Sequence, residues 1–286
     1  MNPQFWLTQA FNGISYGALL FLVGSGLSLI FGVMRIVNLS HGSYFLLGGY
    51  VALSVIWTTG SWLLAIPVAA LTIALVGVAM ERVFLRPLGF DPLRQVLLTV
   101  GFAFLFQQAA LDIWTGNNFD INPPDALTKS IVVGGLYLPL YRIFMIATAL
   151  IIGVILWLAM EKTRMGAAVR ATVDDAQMAR GVGIDTSRIS MLIFALGAFL
   201  AALGGVIGGA FLGIYPGLDF EMLPIAFAVV IIGGMGSLGG AAIGALVVGL
   251  ADNFGKALFP EVSYFTLYAP MALILAVKPT GLFGRE

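Results

Sequence analysis

This 286-residue sequence predicts an all-α, polytopic transmembrane helical bundle, and three observations predict it. Only 10% of its residues are charged, where an ordinary soluble domain carries about 25%. The charges gather in a few short segments, leaving 1–34, 36–80, 190–218 and 222–251 free of Asp, Glu, Lys and Arg. The chain is 60% apolar and holds 36 glycines, the residue that lets helices pack closely in lipid. A soluble fold cannot bury stretches of that length, whereas a bilayer core about 30 Å thick takes roughly 20 apolar residues per helix.

The apolar runs between charges and turns give the elements in order: 14–33, a shorter 43–57, then 62–81, 96–113, 143–160, 190–212, 223–232, 241–254 and 263–277. That makes about 8–9 membrane segments, two of them broken or half-length, in a single domain over 1–286. The N-terminus lacks the basic start and small-residue cleavage site of a secretory signal, so its apolar run is expected to stay. Basic residues gather on the cytoplasmic side of a membrane. Arg82, Arg86 and Arg94, then Lys162, Arg164, Arg170, Arg180 and Arg188, then Lys278 and Arg285, mark three inner segments. The stretch 115–141, with Asp120, Asp125, a Pro123-Pro124 pair and only Lys129, goes outside as a loop, and so does the acidic turn 215–221. Parity then sets the C-terminus inside and, with the short segments counted, the N-terminus outside.

Two of the apolar stretches carry breaks. Thirty helical residues over 222–251 would reach about 45 Å. Gly233, Gly234, Gly236 and Ser237, with Gly239 and Gly240, interrupt it, leaving about ten apolar residues a side, roughly half a bilayer each. Glycine runs do not hold regular helix cheaply, and lipid tolerates no open backbone, so the break must be buried in protein or line a watery cavity. Near the N-terminus, Asn38, Ser40, His41, Gly42 and Ser43 form a second break, with Asn38 or Ser40 placed to cap the next helix. Broken helices of this kind form substrate sites in transporters, and a pair of them suggests an internal repeat. These residues are the candidate translocation path. The alternative is that both runs are tight helix contacts or ordinary loops, and that His41 serves packing alone.

The segment 161–189 is the one long polar stretch on the inner side. Alanines favour helix over 165–179, Asp174-Asp175-Ala176 opens a second short helix, and Arg180-Gly181 closes it with glycine as the cap. The result is a small charged knob suited to docking a soluble partner; the alternative is a solvated loop held by ion pairs.

Chemistry is sparse. With no cysteine and one histidine, the chain has no thiol nucleophile and no multi-histidine metal site of its own. No G-x-x-x-x-G-K-[ST], G-x-S-x-G or H-E-x-x-H occurs, so no catalytic residue is assigned and no cofactor is expected in this chain. Formal net charge is zero, which gives no reason to expect nucleic acid. Carboxylates are nearly absent from the spans: Asp112 sits at a span end, and Asp252 is the one exception. That argues against self-powered coupling; the rival readings are a self-sufficient carrier or channel, a membrane enzyme, for which no cluster of ionisable residues is found near one face, and a knob that binds a non-ATPase regulator.

Three stretches carry a resemblance. GLSLIFGVMRIVNLSHGSYFLLGGYVA (26–52), RATVDDAQMARGVGIDTSRISMLIFALGAFLAALGGVIGG (170–209) and FAVVIIGGMGSLGGAAIGALVVGL (227–250) resemble, in order, signatures of the permease subunits of branched-chain amino-acid ABC transporters. Of that family's two permease types, the match is closer to the LivH type. The resemblance implies a multi-pass protein of the bacterial inner membrane, surrounded by lipid. Its partners would be a second, LivM-like permease, two cytoplasmic LivG/LivF-like ATPases that bind ATP and Mg, and a periplasmic substrate-binding protein. The coupling segment would be Arg170, Asp174, Asp175, Ala176, Ala179, Arg180, Gly181, Gly183 and Asp185. Leucine, isoleucine and valine would be the cargo; relatives carry urea, amides or aromatic acids, and the sequence does not choose among them.

Overall fold

The computed structural model describes residues 3–89 and 91–284; Arg285, counted above among the inner basic residues, lies outside them. The chain forms α1 (Pro3–Met34), α2 (His41–Thr59), α3 (Trp62–Ala79), α4 (Pro92–Trp114), a hairpin of β1 (Ser130–Val133) and β2 (Leu136–Pro139), α5 (Leu140–Lys162), α6 (Arg164–Asp174), α7 (Ala176–Gly181), α8 (Thr186–Leu212), α9 (Leu218–Gly233), α10 (Leu238–Leu258) and α11 (Ser263–Val277). Among the described residues six helices are long and apolar enough to cross a membrane by length and composition: α1, α3 with its extension to Leu88, α4, α5, α8 and α10. The fold is a polytopic helical bundle.

α1, α2 and α8 form its centre, with Leu19, Leu22, Tyr44, Phe45, Phe194 and Val206 all buried. Small residues bring the backbones together. Gly48 meets Ala202, and a Cβ on Gly205 would overlap the Phe45 carbonyl. On the other side of α1, Gly17 meets Ala245 and Gly249 meets Gly13 and Gly17. Such seams replace hydrophobic driving force, absent between helices in lipid, with close backbone packing.

The ends of the helices sort onto two faces. On one, Gln4 lies against Gly135 of the hairpin, Trp6 against Phe254, and Phe119 bridges Ile214. On the other, Arg86 reaches the Ser187 carbonyl at 3.2 Å, Gly32 meets Gly236, and Leu282 and Phe283 donate to the Ile232 and Gly233 carbonyls at 2.9 and 3.0 Å. The start of α1 thus shares a face with 115–141, and 278–284 lies opposite with the basic segments.

Four expectations change. The stretch 115–141 is not all loop: Ser130 pairs with Pro139 and Val133 with Leu136 around Gly134-Gly135, whose φ angles of 58° and 82° suit a hairpin turn. The short segment 43–57 is a 19-residue helix that begins at His41. The span 62–81 runs on through a π-helical turn, Met80–Leu85, and a 3₁₀ turn, Arg86–Leu88. The two half-helices 223–232 and 241–254 are longer, α9 and α10, and they fold back on each other, Gly233 against Gly240 and Gly244 against Val229. Gly234 (φ 96°) and Gly236 (φ 83°) reverse the chain, so the glycine run is a tight hairpin at helix ends, not an interruption inside a span.

Asp252 of α10 is buried and pairs with Lys256 at 2.8 Å, one turn on, while the lysine head stays exposed. Lys256→Met should lower the unfolding temperature in detergent more than Asp252→Asn does. The first leaves a buried carboxylate without its cation, a loss of about 1–2 kcal/mol; the second removes the charge itself. Equal shifts would refute this.

Candidate functional site

The break after α1 turns the chain back into the bundle. Arg35 adopts φ 54° and donates its N–H to the Phe31 carbonyl, and α2 then starts beside residues 23 and 26 of α1 rather than at its end. Residues 35–40 therefore climb about 12–17 Å along α1. Val23 is at the middle of the apolar run 14–33, and Gly204, which packs on Val23, is in the second half of α8. The N-terminus of α2 thus opens at mid-depth, as open backbone inside a bilayer must when it is enclosed by protein.

Polar side chains fill that turn. Asn38, Ser40 and His41 are fully buried and Ser43 nearly so. The Asn38 Oδ1 accepts from the Ser40 N–H at 3.1 Å and from the Ser40 hydroxyl at 2.7 Å, an Asx turn. Ser40 occupies the N-cap position of α2 but makes no side-chain cap, so the capping expected of Asn38 or Ser40 is not made. His41 Nε2 donates to the Val23 carbonyl at 3.0 Å. The Leu39 N–H donates to Thr99 Oγ1 of α4 at 3.2 Å. Tyr44 donates to the Met80 sulfur, at the start of the π turn.

A carboxylate completes the cluster. Asp219, in the first turn of α9, is 2% exposed, and its Oδ2 accepts from the Ser43 hydroxyl at 3.0 Å. Its backbone carbonyl lies against Gly42, where a Cβ would collide. The acidic turn 215–221 was expected wholly outside; Glu221 is exposed there, bonded to the Tyr215 hydroxyl, but Asp219 is drawn into the bundle. The polar cluster at the start of α2 consequently includes a carboxylate. An acidic residue opening an apolar helix was the available signal for Asp219. Its pairing with Ser43, 176 positions away, has none.

The second group of candidates sits elsewhere. Gly233, Gly234, Gly236 and Ser237 make the α9–α10 hairpin; Ser237 caps α10 by accepting from the Gly240 N–H at 3.0 Å, and its carbonyl accepts from Ser28. Both groups lean on α1, the first at Val23 and Gly26 and the second at Ser28 and Gly32, about 9 Å lower. They are not one site.

The knob is α6 and α7. Thr163 caps α6, Asp175 caps α7 by accepting from the Gln177 and Met178 N–H groups, and Asp185 caps α8 and pairs with Arg188 at 2.8 Å. The left-handed residue after α7 is Gly183 (φ 89°), not Gly181, because the chain makes one more turn through Val182 before reversing. Arg170 bonds the Met160 carbonyl and pairs with Glu161, Arg180 bonds the Thr186 hydroxyl at 2.7 Å, and Ala179 is buried beneath. Asp174 ends α6, Ala176 begins α7, and Met178 and Val182, unremarked in the sequence, project 71% and 79% exposed. A cleft of about 340 Å³ lies behind the knob, walled by Met34, Glu81, Arg86, Thr172, Arg180 and Asp185. Glu81, buried, pairs with Arg86 at 2.9 Å across the π turn, tying the end of α3 to α8 through Ser187.

Comparison with known proteins agrees over the whole length. Residues 9–275 match the family model described as branched-chain amino acid transport system / permease component. The high-affinity branched-chain amino acid transport system permease protein LivH of Escherichia coli K12 is 32% identical, over 100% of this chain and 98% of its own. The corresponding permease BraD of Pseudomonas aeruginosa is 28% identical, over 98% and 96%. The autoinducer 2 import system permease protein LsrC of Escherichia coli O9:H4 is 28% identical over 66% of this chain and 56% of its own. A bundle of apolar helices with a polar break at mid-depth, matched nearly end to end by LivH and BraD, belongs to the branched-chain amino acid transport permease family.

Proposed function

We propose that this chain is the membrane-embedded, non-catalytic permease subunit of an ATP-driven importer for branched-chain amino acids in a bacterial inner membrane. A second, LivM-like permease would complete the passage, two LivG/LivF-like ATPases holding ATP and Mg would seat on the α6–α7 knob, and a periplasmic protein would deliver the cargo. The observation that carries this reading is the knob. It is built of two capped short helices, presents Met178 and Val182 to solvent, and joins the start of α8 through Arg180 and Thr186, next to Ser187, whose carbonyl Arg86 ties to Glu81 of the π turn beside Tyr44. The arginine-rich face that bears it is the cytoplasmic one. Counting α2, α9 and α11 with the six long helices would give nine membrane segments among the described residues. From their meeting at Gly42 and Asp219, α2 runs toward one face and α9 toward the other, which supports an inverted internal repeat.

Reconstitution tests it. Liposomes holding the chain with its partners should take up leucine only with ATP on the ATPase side, and the chain alone should take up none. Gradient-driven uptake by the chain alone would establish a carrier or channel instead. A second reading of the cargo has one observation in its favour: LsrC is an autoinducer 2 import permease, so a fold of this kind is compatible with other cargoes, the urea, amide and aromatic-acid readings included. Competition of leucine uptake by those compounds separates them.

A further inference from the structure

The break at the start of α2 holds more hydrogen-bonding capacity than the protein uses. Three buried groups from two distant segments have no protein partner among the described residues: Asn38 Nδ2, His41 Nδ1 and Asp219 Oδ1. Their chemistry is not uniform. The Val23 carbonyl can only accept, so Nε2 of His41 carries the proton and Nδ1 of the neutral ring is an acceptor. Asp219 Oδ1 is a carboxylate-type acceptor, and Ser43 has engaged only the other oxygen. Asn38 has both lone-pair roles of its oxygen taken by Ser40, which fixes the amide and leaves its NH₂ as a free donor. Beside these opens a 19-residue helix whose N-cap side chain makes no capping bond to the helix amides, the positive end of a helix dipole. Asp219 lies against Gly42, the residue next to His41, so carboxylate and helix end are neighbours.

Unmet polar groups buried in a membrane protein are costly, and a carboxylate there costs most. Two acceptors, one of them a carboxyl oxygen, placed with a donor around a helix N-terminus, are the complement of a zwitterion. We propose that the α2 N-terminus and Asp219 form an occluded binding site for an α-amino acid: Asp219 and His41 take the ammonium, and Asn38 with the first amides of α2 takes the carboxylate. This deepens the importer reading above and rests on it. It makes the permease itself, and not only the delivering protein, selective for cargo carrying both charges. Because the site is enclosed, cargo enters when α9 moves from α2. Gly217 (φ 100°) before α9 and Gly234 (φ 96°) after it bound that helix with left-handed backbone that glycine adopts without strain.

The test titrates the purified transporter complex, without its binding protein, with leucine, 4-methylpentanoate (no ammonium) and 3-methylbutylamine (no carboxylate). Wild type should bind leucine at least tenfold tighter than either half-molecule. In Asp219→Asn the preference for leucine over 4-methylpentanoate should fall at least tenfold, whereas a purely structural role would weaken all three ligands alike. Asn38→Asp, which places a carboxylate where the cargo carboxylate would sit, should weaken leucine and favour the amine, and it decides the matter if Asp219→Asn fails to assemble. A wild-type preference below twofold, or ratios unchanged in both variants, overturns the site. Leucine uptake by the wild-type complex alongside unchanged ratios would overturn this site and leave the importer reading standing; absence of that uptake sinks both.

Discussion

Gly205→Val leaves no folded bundle in the membrane. At this position α8 touches α2 backbone to backbone: a Cβ would fall on the Phe45 carbonyl and lie 3.1 Å from the Gly49 nitrogen. Nothing there is the far end of a flexible side chain, so relief requires moving one central helix away from the other. Overpacking a core ordinarily costs about 1–3 kcal/mol, and more where side chains cannot give way. Here the displaced seam also carries Gly48 on Ala202 and Gly208 on Phe45, so the loss spreads along several turns. Against a total stability of about 5–15 kcal/mol, that is enough to abolish the native state. Size-exclusion profiles of detergent extracts should show no monodisperse peak for this variant. Gly101→Val in α4, where a Cβ meets nothing within 4 Å, should leave the profile unchanged. A normal profile for Gly205→Val would show that α2 and α8 do not pack as described.

The long helices were readable from the sequence because their signal is local. An apolar run between charges marks a span whether or not its neighbours are known, and α11 over 263–277 coincides with its run. The knob was readable for the same reason: Asp175 and Asp185 are caps whose partners lie two or three residues away. The hairpin after Ser130 was missed although Ile131-Val132-Val133-Gly134-Gly135 is a strand-and-turn pattern, because the acidic, proline-bearing context drew attention to a loop. The α9–α10 reversal was misread for a deeper reason. A glycine run looks the same whether it interrupts a helix or folds two helices together, and only the pairing of Gly233 with Gly240 distinguishes the cases. Asp219 was lost to the same blindness. Beside Glu221 it reads as one end of an exposed acidic turn, and what buries it is Gly42 and Ser43, which the chain brings there from the other end.

Carboxylates placed at both Met178 and Val182 should reduce leucine uptake by the assembled transporter at least a hundredfold while leaving the chain folded. The two side chains are 71% and 79% exposed, so neither replacement disturbs packing within the chain. Docked on an ATPase, each apolar side chain would contribute about 1.5–3 kcal/mol by burial, and each replacement would instead bring a charge to be desolvated. A combined loss of about 4 kcal/mol corresponds to roughly a thousandfold weaker docking. Co-purification of the ATPases with the chain, and ATP hydrolysis per complex, read the loss directly. The position of these residues makes the experiment specific. Reversing Asp175 would also remove the α7 cap, so a loss there would confound docking with local unfolding. Met178 and Val182 contribute backbone groups to the turn but no side-chain bond. If the double variant keeps its ATPases and its uptake, the knob is a solvated loop and the motor must grip the chain elsewhere. The face around Arg86 and Ser187 is then the next place to look, since it joins the inner end of α3 to the start of α8.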